Sequence, residues 1–156
     1  MPDSRSVSIM PLAMADHDQW YPLWRGYQAF YRVDIAPEVS RVTWNRLLDP
    51  EEPMGGALAV DGATAIGLVH WIFHRSCWTV GNYCYLQDLF VAPDGRGQGI
   101  GRHLIEYVYD LAGAAGCSRV HWLTHESNAE AMLLYDRIGE RTGMVQYRKL
   151  LAGNPT

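Results

Sequence analysis

Four glycines occupy alternate positions from Gly95 to Gly101 in "DGRGQGIGRHLIE" (94–106), and an amphipathic run starts directly behind them. Glycine lets a main chain approach an anion closely, and the first N–H groups of a helix point at that anion along the dipole. This order of residues suits a pyrophosphate. Two other phosphate loops fail on spacing. A Walker loop needs Lys and Ser/Thr after its second glycine, yet five positions on from Gly95, Gly97 and Gly99 stand Ile100, Arg102 and Leu104. A dinucleotide fingerprint needs a third glycine where Ile100 or Arg102 stands. What fits is Arg96-x-x-Gly99-x-Gly101. A turn that holds nothing would not need this much glycine.

Two further stretches carry groups able to do chemistry. In "HESNAEAMLLYDRIG" (125–139), Ser127-x-x-Glu130 reads as a capping box, which leaves the Asn128 amide free. Tyr135 stands seven residues beyond Asn128, two turns up the same face, so a ligand along that face meets both. In "YLQDLFV" (85–91), Gln87 is followed by Asp88. Glu126, His125 and His121 are other groups able to move a proton. Trp71, Trp78, Tyr83 and Tyr85 are candidates for an aromatic wall around a cationic amine.

The elements that position these groups follow from periodicity. Residues 5–12 read as a strand. Asp16 and Asp18 can cap a helix in which Trp20, Leu23, Trp24, Tyr27, Phe30 and Tyr31 recur at helical spacing. A second helix spans 36–49, with Pro37 in its first turn and Asp49-Pro50 as its stop. "ALAV" and "TAIGLVHWIFH" flank "DGA", a hairpin signal, and 82–91 is a further strand. A helix runs from Ile100 to about Ala115, capped by Gly116. "SRVHWLT" is a strand, "NAEAMLLYDRIG" a helix, and "GMVQYRKLL" a closing strand. One mixed sheet with helices on its faces is expected.

Composition bounds the function. The chain has 156 residues, 48% apolar and 19% charged, which fits one folded domain over 1–156. A net charge of −4 and a pI near 5.8 lack the basic footprint of a nucleic-acid binder. The three cysteines, Cys77, Cys84 and Cys117, fall in strands or at their ends and form no CxxC pair. They read as buried reduced thiols of a cytoplasmic protein. The N-terminus lacks a secretion signal. The most apolar stretch is broken by Asp61 and His70 and is short of a membrane span.

The motif Arg96-x-x-Gly99-x-Gly101 behind a strand ending "LFV" resembles the acetyl-CoA pyrophosphate loop of the GNAT N-acetyltransferase superfamily. The element order is similar to that fold over about residues 5 to 151, and "YLQDLFV", "RGQGIG" and "NAEAMLLYDRIG" resemble the branch of diamine acetyltransferases and small histone- or polyamine-type acetyltransferases. The resemblance implies an α/β (α+β) fold: one mixed sheet of six to seven strands, helices on both faces and splayed central strands. It implies acetyl transfer from acetyl-CoA, without a metal, to a primary amine of a polyamine-like small molecule or of a lysine-bearing peptide. It also implies pairing into a homodimer.

Residue by residue, the resemblance assigns the diphosphate to the main chain of Arg96, Gly97, Gln98, Gly99, Ile100, Gly101 and Arg102. Pantetheine then lies beside Leu89, Phe90 and Val91 like an added strand, and against Asn128. Tyr135 is the acid for the leaving thiolate, and a main-chain N–H near Phe90 polarises the thioester. In diamine acetyltransferases a Glu stands where this chain has Gln87, and an amide is no base. An alkylammonium, with a pKa near ~10, must nevertheless lose a proton before it attacks. Asp88 or Glu126, through water, is the expected acceptor, with Tyr85, Gln87 and Trp71 lining the substrate. Strand alternation would turn Asp88 away from that side unless a bulge re-aims it. The alternative is a non-catalytic acyl-CoA sensor or interaction module of the same fold, favoured by Gln87 and disfavoured by Tyr135.

Overall fold

Hydrophobic periodicity and glycine punctuation set most element boundaries in the computed structural model, which describes residues 6–153. In the unit covering 1–123 these are β1 (Val7–Pro11), α1 (His17–Phe30), α2 (Pro37–Leu48), β2 (Met54–Asp61), β3 (Thr64–His74), β4 (Tyr83–Val91), α3 (Ile100–Ala114) and β5 (Val120–His121). A second unit, 124–156, contains α4 (Ala129–Ile138). The strands lie in the order β1-β2-β3-β4-β5; the first three pairings are antiparallel and β4–β5 is parallel.

Local chemistry explains the joints. Asp61 pairs with Thr64 across a two-residue turn, and Gly62 supplies its φ of 61°. Pro37 opens α2, where its missing N–H costs nothing. Beyond α3, Gly116 adopts φ 77° while Cys117 N–H donates to the Ala112 carbonyl at 2.9 Å, closing the helix end.

The sheet is covered on both faces. Residues of β3 alternate, so Gly67, Val69 and Trp71 share one face and Leu68, His70 and Ile72 the other. On the first, α3 buries Ile100, Leu104, Ile105, Val108 and Ala112. On the second, α1 and α2 bring Trp20, Leu23, Trp24, Trp44 and Leu47 onto Leu58, Leu68 and Phe90. Removing that apolar area from water, at roughly 25 cal/mol per Å², is the main stabilisation of the sheet's α1 face.

Several expectations need correction. The described sheet has five strands, not six or seven. "GMVQYRKLL" forms no strand: Met144, Val145, Tyr147, Leu150 and Leu151 are exposed. Apolar content alone does not make a strand; a hydrogen-bonded neighbour does. "SRVHWLT" contracts to Val120–His121. Asp16 stands at the N-cap of α1, but its carboxylate accepts from Ala13 N–H at 2.8 Å and so closes the preceding 3-10 turn instead. Of the thiols only Cys84 is buried, Cys77 being exposed. Burial, with Cys117 nearby, pushes the Cys84 thiol up to about 12. No described helix is long and apolar enough to cross a membrane.

Candidate active site

The geometry turns on one inserted residue. His70 pairs with Asp88, yet the next residue, Trp71, pairs with Leu86, leaving Gln87 as a bulge. Cross-strand partners share a face, so Leu86 joins Trp71 on the α3 side while Asp88 joins His70 under α1. The bulge therefore re-aims Asp88, and Gln87 is left exposed. Trp71 is buried on the α3 side, 6.1 Å from the Tyr107 ring, so it does not belong to an aromatic wall around Asp88.

Asp88 and His70 are 7% and 2% exposed and form a closed network. His70 Nδ1 lies 2.9 Å from Asp88 Oδ2, and Trp20 Nε1 lies 2.9 Å from His70 Nε2. An indole N–H only donates, so Nε2 must present its lone pair; the ring proton then sits on Nδ1 and is donated to Asp88. Tyr27 adds a hydroxyl donor to the same carboxylate. The phenols of Tyr27, Tyr31 and Tyr85 are all pushed up, first by burial and then by the Asp88 charge. The Asp88 charge thus acts on three neighbouring phenols, and among the described residues no Lys or Arg pairs with it. A buried carboxylate with neutral donors and no cationic partner is suited to receive a cation. Sequence reasoning missed His70, Tyr27 and Tyr31 in this role. The only signal was a histidine inside an otherwise apolar strand.

The glycine loop has the form an anion needs. Gly97 and Gly99 both have φ 76°, and Gly99 is the N-cap of α3. Side chains rarely adopt that backbone, which is why glycine stands there. The first helical bond runs from His103 N–H to the Gly99 carbonyl at 3.1 Å, so the N–H groups of Ile100, Gly101 and Arg102 have no acceptor within the helix. There is no acidic residue in the first turn and no side-chain cap. An ideal Cβ at Gly97 or Gly99 meets nothing within 4 Å, so the space over the loop is open. Arg96 donates from Nε to the Val91 carbonyl at 3.1 Å, Gln98 donates to the Asp94 carbonyl at 3.1 Å, and Arg102 pairs with Glu106 at 2.7 Å.

Within the first unit, part of the β4 edge is unpaired. β5 pairs only with Cys84 and Tyr85, so within this unit no strand meets β4 on that side from Leu86 to Val91. The stretch Leu89, Phe90, Val91 keeps its pairing to β3, with the Phe90 side chain packed under α1. Tyr85 stacks on His121, ring centroids 5.0 Å apart.

In the second unit, the capping box is not formed. Asn128, not Ser127, is the N-cap of α4 and makes no side-chain capping bond. Ser127 Oγ lies 2.6 Å from His125 Nδ1 instead, and Asn128 Nδ2 donates to Thr124 Oγ1 at 3.3 Å. Asn128 and Tyr135 are half-buried and Glu126 is exposed.

Comparisons with known proteins agree with this architecture. The acetyltransferase (GNAT) family matches residues 18–139. D-amino-acid N-acetyltransferase HPA3 of Saccharomyces cerevisiae is 39% identical over 145 residues, covering 92% of this chain and 90% of that protein. Thialysine N-epsilon-acetyltransferase of Sus scrofa is 37% identical over 92 residues, covering 59% of this chain and 49% of that longer protein. A solved aminoglycoside N-acetyltransferase, AAC(6')-Iy in complex with CoA, superposes with a TM-score of 0.80 at 18% identity, over 96% of this chain and 98% of that one.

Proposed function

The chain belongs to the acetyltransferase (GNAT) family and is an N-acetyltransferase, and from that premise we propose that it acetylates the primary amine of a small amino compound, with Asp88 as the group that receives the ammonium. The observation that carries this reading is the buried Asp88 carboxylate, held by His70 at 2.9 Å and paired with no described Lys or Arg. Relatives named for D-amino acids and thialysine support an amino-acid-like acceptor in preference to a protein lysine.

The residues present fit acetyl-CoA. Main-chain N–H groups from Gly97 to Arg102 would hold its diphosphate at the open N-terminus of α3, and the free edge of β4 beside Leu89, Phe90 and Val91 would take the pantetheine amides, with Asn128 as a further partner. Acetyl-CoA supplies the acetyl group as a reactive thioester. Asp88 takes one proton from the ammonium and frees the nitrogen lone pair to form the new C–N bond. Tyr135 gives its proton to the departing sulfur and is restored by the second proton lost from nitrogen. The net release is one proton, with an amide and a free thiol as products. Glu126 is exposed and serves at most as an exit for the Asp88 proton through water. Gln87 needs no role in proton transfer, which removes the one feature that favoured a non-catalytic sensor.

In this reading residues 1–156 act as one catalytic domain, without a metal, in the cytoplasm and as a homodimer. The apolar residues exposed in 144–151 support the pairing.

The test is thiol release from acetyl-CoA with D- and L-amino acids, lysine, thialysine and polyamines as acceptors. Asp88→Asn is expected to lower kcat by about 10²–10⁴-fold, the usual worth of a general base. Tyr135→Phe is expected to lower kcat while calorimetric CoA affinity stays within threefold. Wild-type rates in Asp88→Asn with the preferred acceptor would refute the assignment.

A further inference from the structure

The face that carries Asp88 also carries a second charged cluster, of opposite sign. His70, Ile72 and His74 share a face of β3, so their partners Asp88, Tyr85 and Tyr83 share it too. β5 extends the face with His121, stacked on Tyr85, and with Arg119 two residues before it. The Arg119 guanidinium lies 3.9 Å from the Tyr83 ring centroid, and its Nη2 donates to the Tyr83 hydroxyl at 2.6 Å. Beside it opens a cleft of about 250 Å³ whose lining includes His74, Arg75, Ser76, Trp78, Tyr83 and Arg119.

The cleft is electropositive and lacks a counter-charge. No carboxylate lines it, and neither Arg75 nor Arg119 has an ion-pair partner among the described residues. His74 donates from Nδ1 to the Arg75 carbonyl at 2.8 Å, and its Nε2 lies 3.0 Å from His121 Nε2. The His121 imidazole is held below the usual histidine range, by burial first, then by His74 and Arg119.

We propose that this cleft seats an anionic group at the far end of the acceptor, making the preferred acceptor an ω-amino acid with its ammonium on Asp88 and its carboxylate on Arg119 and Arg75. The inference rests on the reading of Asp88 given above. Length selects the class. His70 bonds Asp88 and His74 lines the cleft, and the four-residue step between them along β3 is ~13 Å of sheet. In an extended six-carbon ω-amino acid the nitrogen and the carboxyl carbon are ~7–8 Å apart. A charge-assisted hydrogen bond of about 2.8 Å at each end extends its reach to ~13 Å. An α-amino acid holds the same two groups only ~2.5 Å apart and falls about 5 Å short, leaving one pole unpaired. Between the poles, the stacked rings of Tyr85 and His121 offer a flat floor for a methylene chain.

The experiment compares 6-aminohexanoate, 1-aminohexane and alanine as acceptors for the full chain with acetyl-CoA. Expected is a kcat/KM for 6-aminohexanoate at least tenfold above either of the others. Arg119→Gln, and separately Arg75→Gln, should lower the ratio of kcat/KM for 6-aminohexanoate over 1-aminohexane by 10- to 100-fold, chiefly through KM, as lost charge-assisted contacts do. Equal use of the two six-carbon amines by the wild type would overturn the proposal, as would an unchanged ratio in both variants. Glutarate, which has the anion and no amine, reports on the cleft without turnover. Calorimetric binding that Arg119→Gln abolishes supports the site, and no binding at millimolar glutarate overturns it. If Asp88→Asn turns over 6-aminohexanoate at the wild-type rate, the ammonium assignment fails separately, whatever the arginine variants do.

Discussion

The contact between Trp20 and His70 is the best place to test whether Asp88 is aimed by a fixed histidine tautomer. Trp20 is 0% exposed and its Nε1 reaches His70 Nε2 at 2.9 Å. Leu in place of His70 leaves the indole N–H buried without an acceptor, at a cost of ~1–3 kcal/mol, and strips Asp88 of a charge-assisted donor worth ~1.5–3 kcal/mol. Together these give about 2.5–6 kcal/mol, a lowering of Tm by ~5–24 °C in a chain of this size. Phe in place of Trp20 orphans the Nε2 lone pair for ~1–3 kcal/mol. The double variant orphans neither partner of that bond, so the two losses should fall short of additivity by ~2–6 kcal/mol. Urea unfolding followed by far-UV circular dichroism measures this cycle without relying on tryptophan emission. In the wild type, ¹⁵N spectra of the imidazole should show the proton on Nδ1. His70→Asn, whose amide N–H can stand where Nδ1 stood, should keep more turnover than His70→Leu. A coupling below ~0.5 kcal/mol, within the scatter of independent sites, or a ring protonated on Nε2, would refute the reasoning.

Two further outcomes follow from the loop and the histidine pair. Gly99→Val places a β-branched residue at φ 76° and a side chain in the open space above the loop; it should cost ~1–2 kcal/mol of stability and reduce calorimetric CoA affinity by more than tenfold. Unchanged affinity would remove the loop from the binding site. His121 is held below its usual range, so the folded chain binds less proton there than the unfolded chain does. Its stabilising share is complete above the ordinary histidine value of ~6.5 and is lost as pH falls through that value toward the lowered folded one. His121→Phe should therefore flatten the decline of the urea midpoint between pH 7.5 and 5.5, and an equal slope in both proteins would contradict the assignment.

Legibility in the sequence tracked the range of the interaction. The bounds of α3 were readable because their determinants are local: Ile100, Leu104 and Val108 repeat along one face, and Gly99 before the helix and Gly116 after it take positive φ. The β2–β3 hairpin was readable for the same reason, through Gly62. The capping box was not, because Ser127 had a competing neighbour in His125 and the helix started one residue later. The closing strand failed because a strand is a relation between two segments, and only one of them is visible as a string of letters.

The placement of Asp88, the proposed proton acceptor, belongs to the same non-local class. Nothing in "YLQDLFV" marks Gln87 as an inserted residue; only the pairing of His70 with Asp88 and of Trp71 with Leu86 does so. Since the side-chain period of a strand is two, a single inserted residue exchanges the faces of everything beyond it. That exchange carries Asp88 under α1 to His70, eighteen residues away in sequence, and onto the face of Tyr85, whose partner is Ile72. Trp71, by contrast, faces α3 through the unbroken alternation of β3 that it shares with Gly67 and Val69. On the proposed role of Asp88, the absence of a glutamate at 87 is no argument against turnover, because the bulge turns a different carboxylate inward.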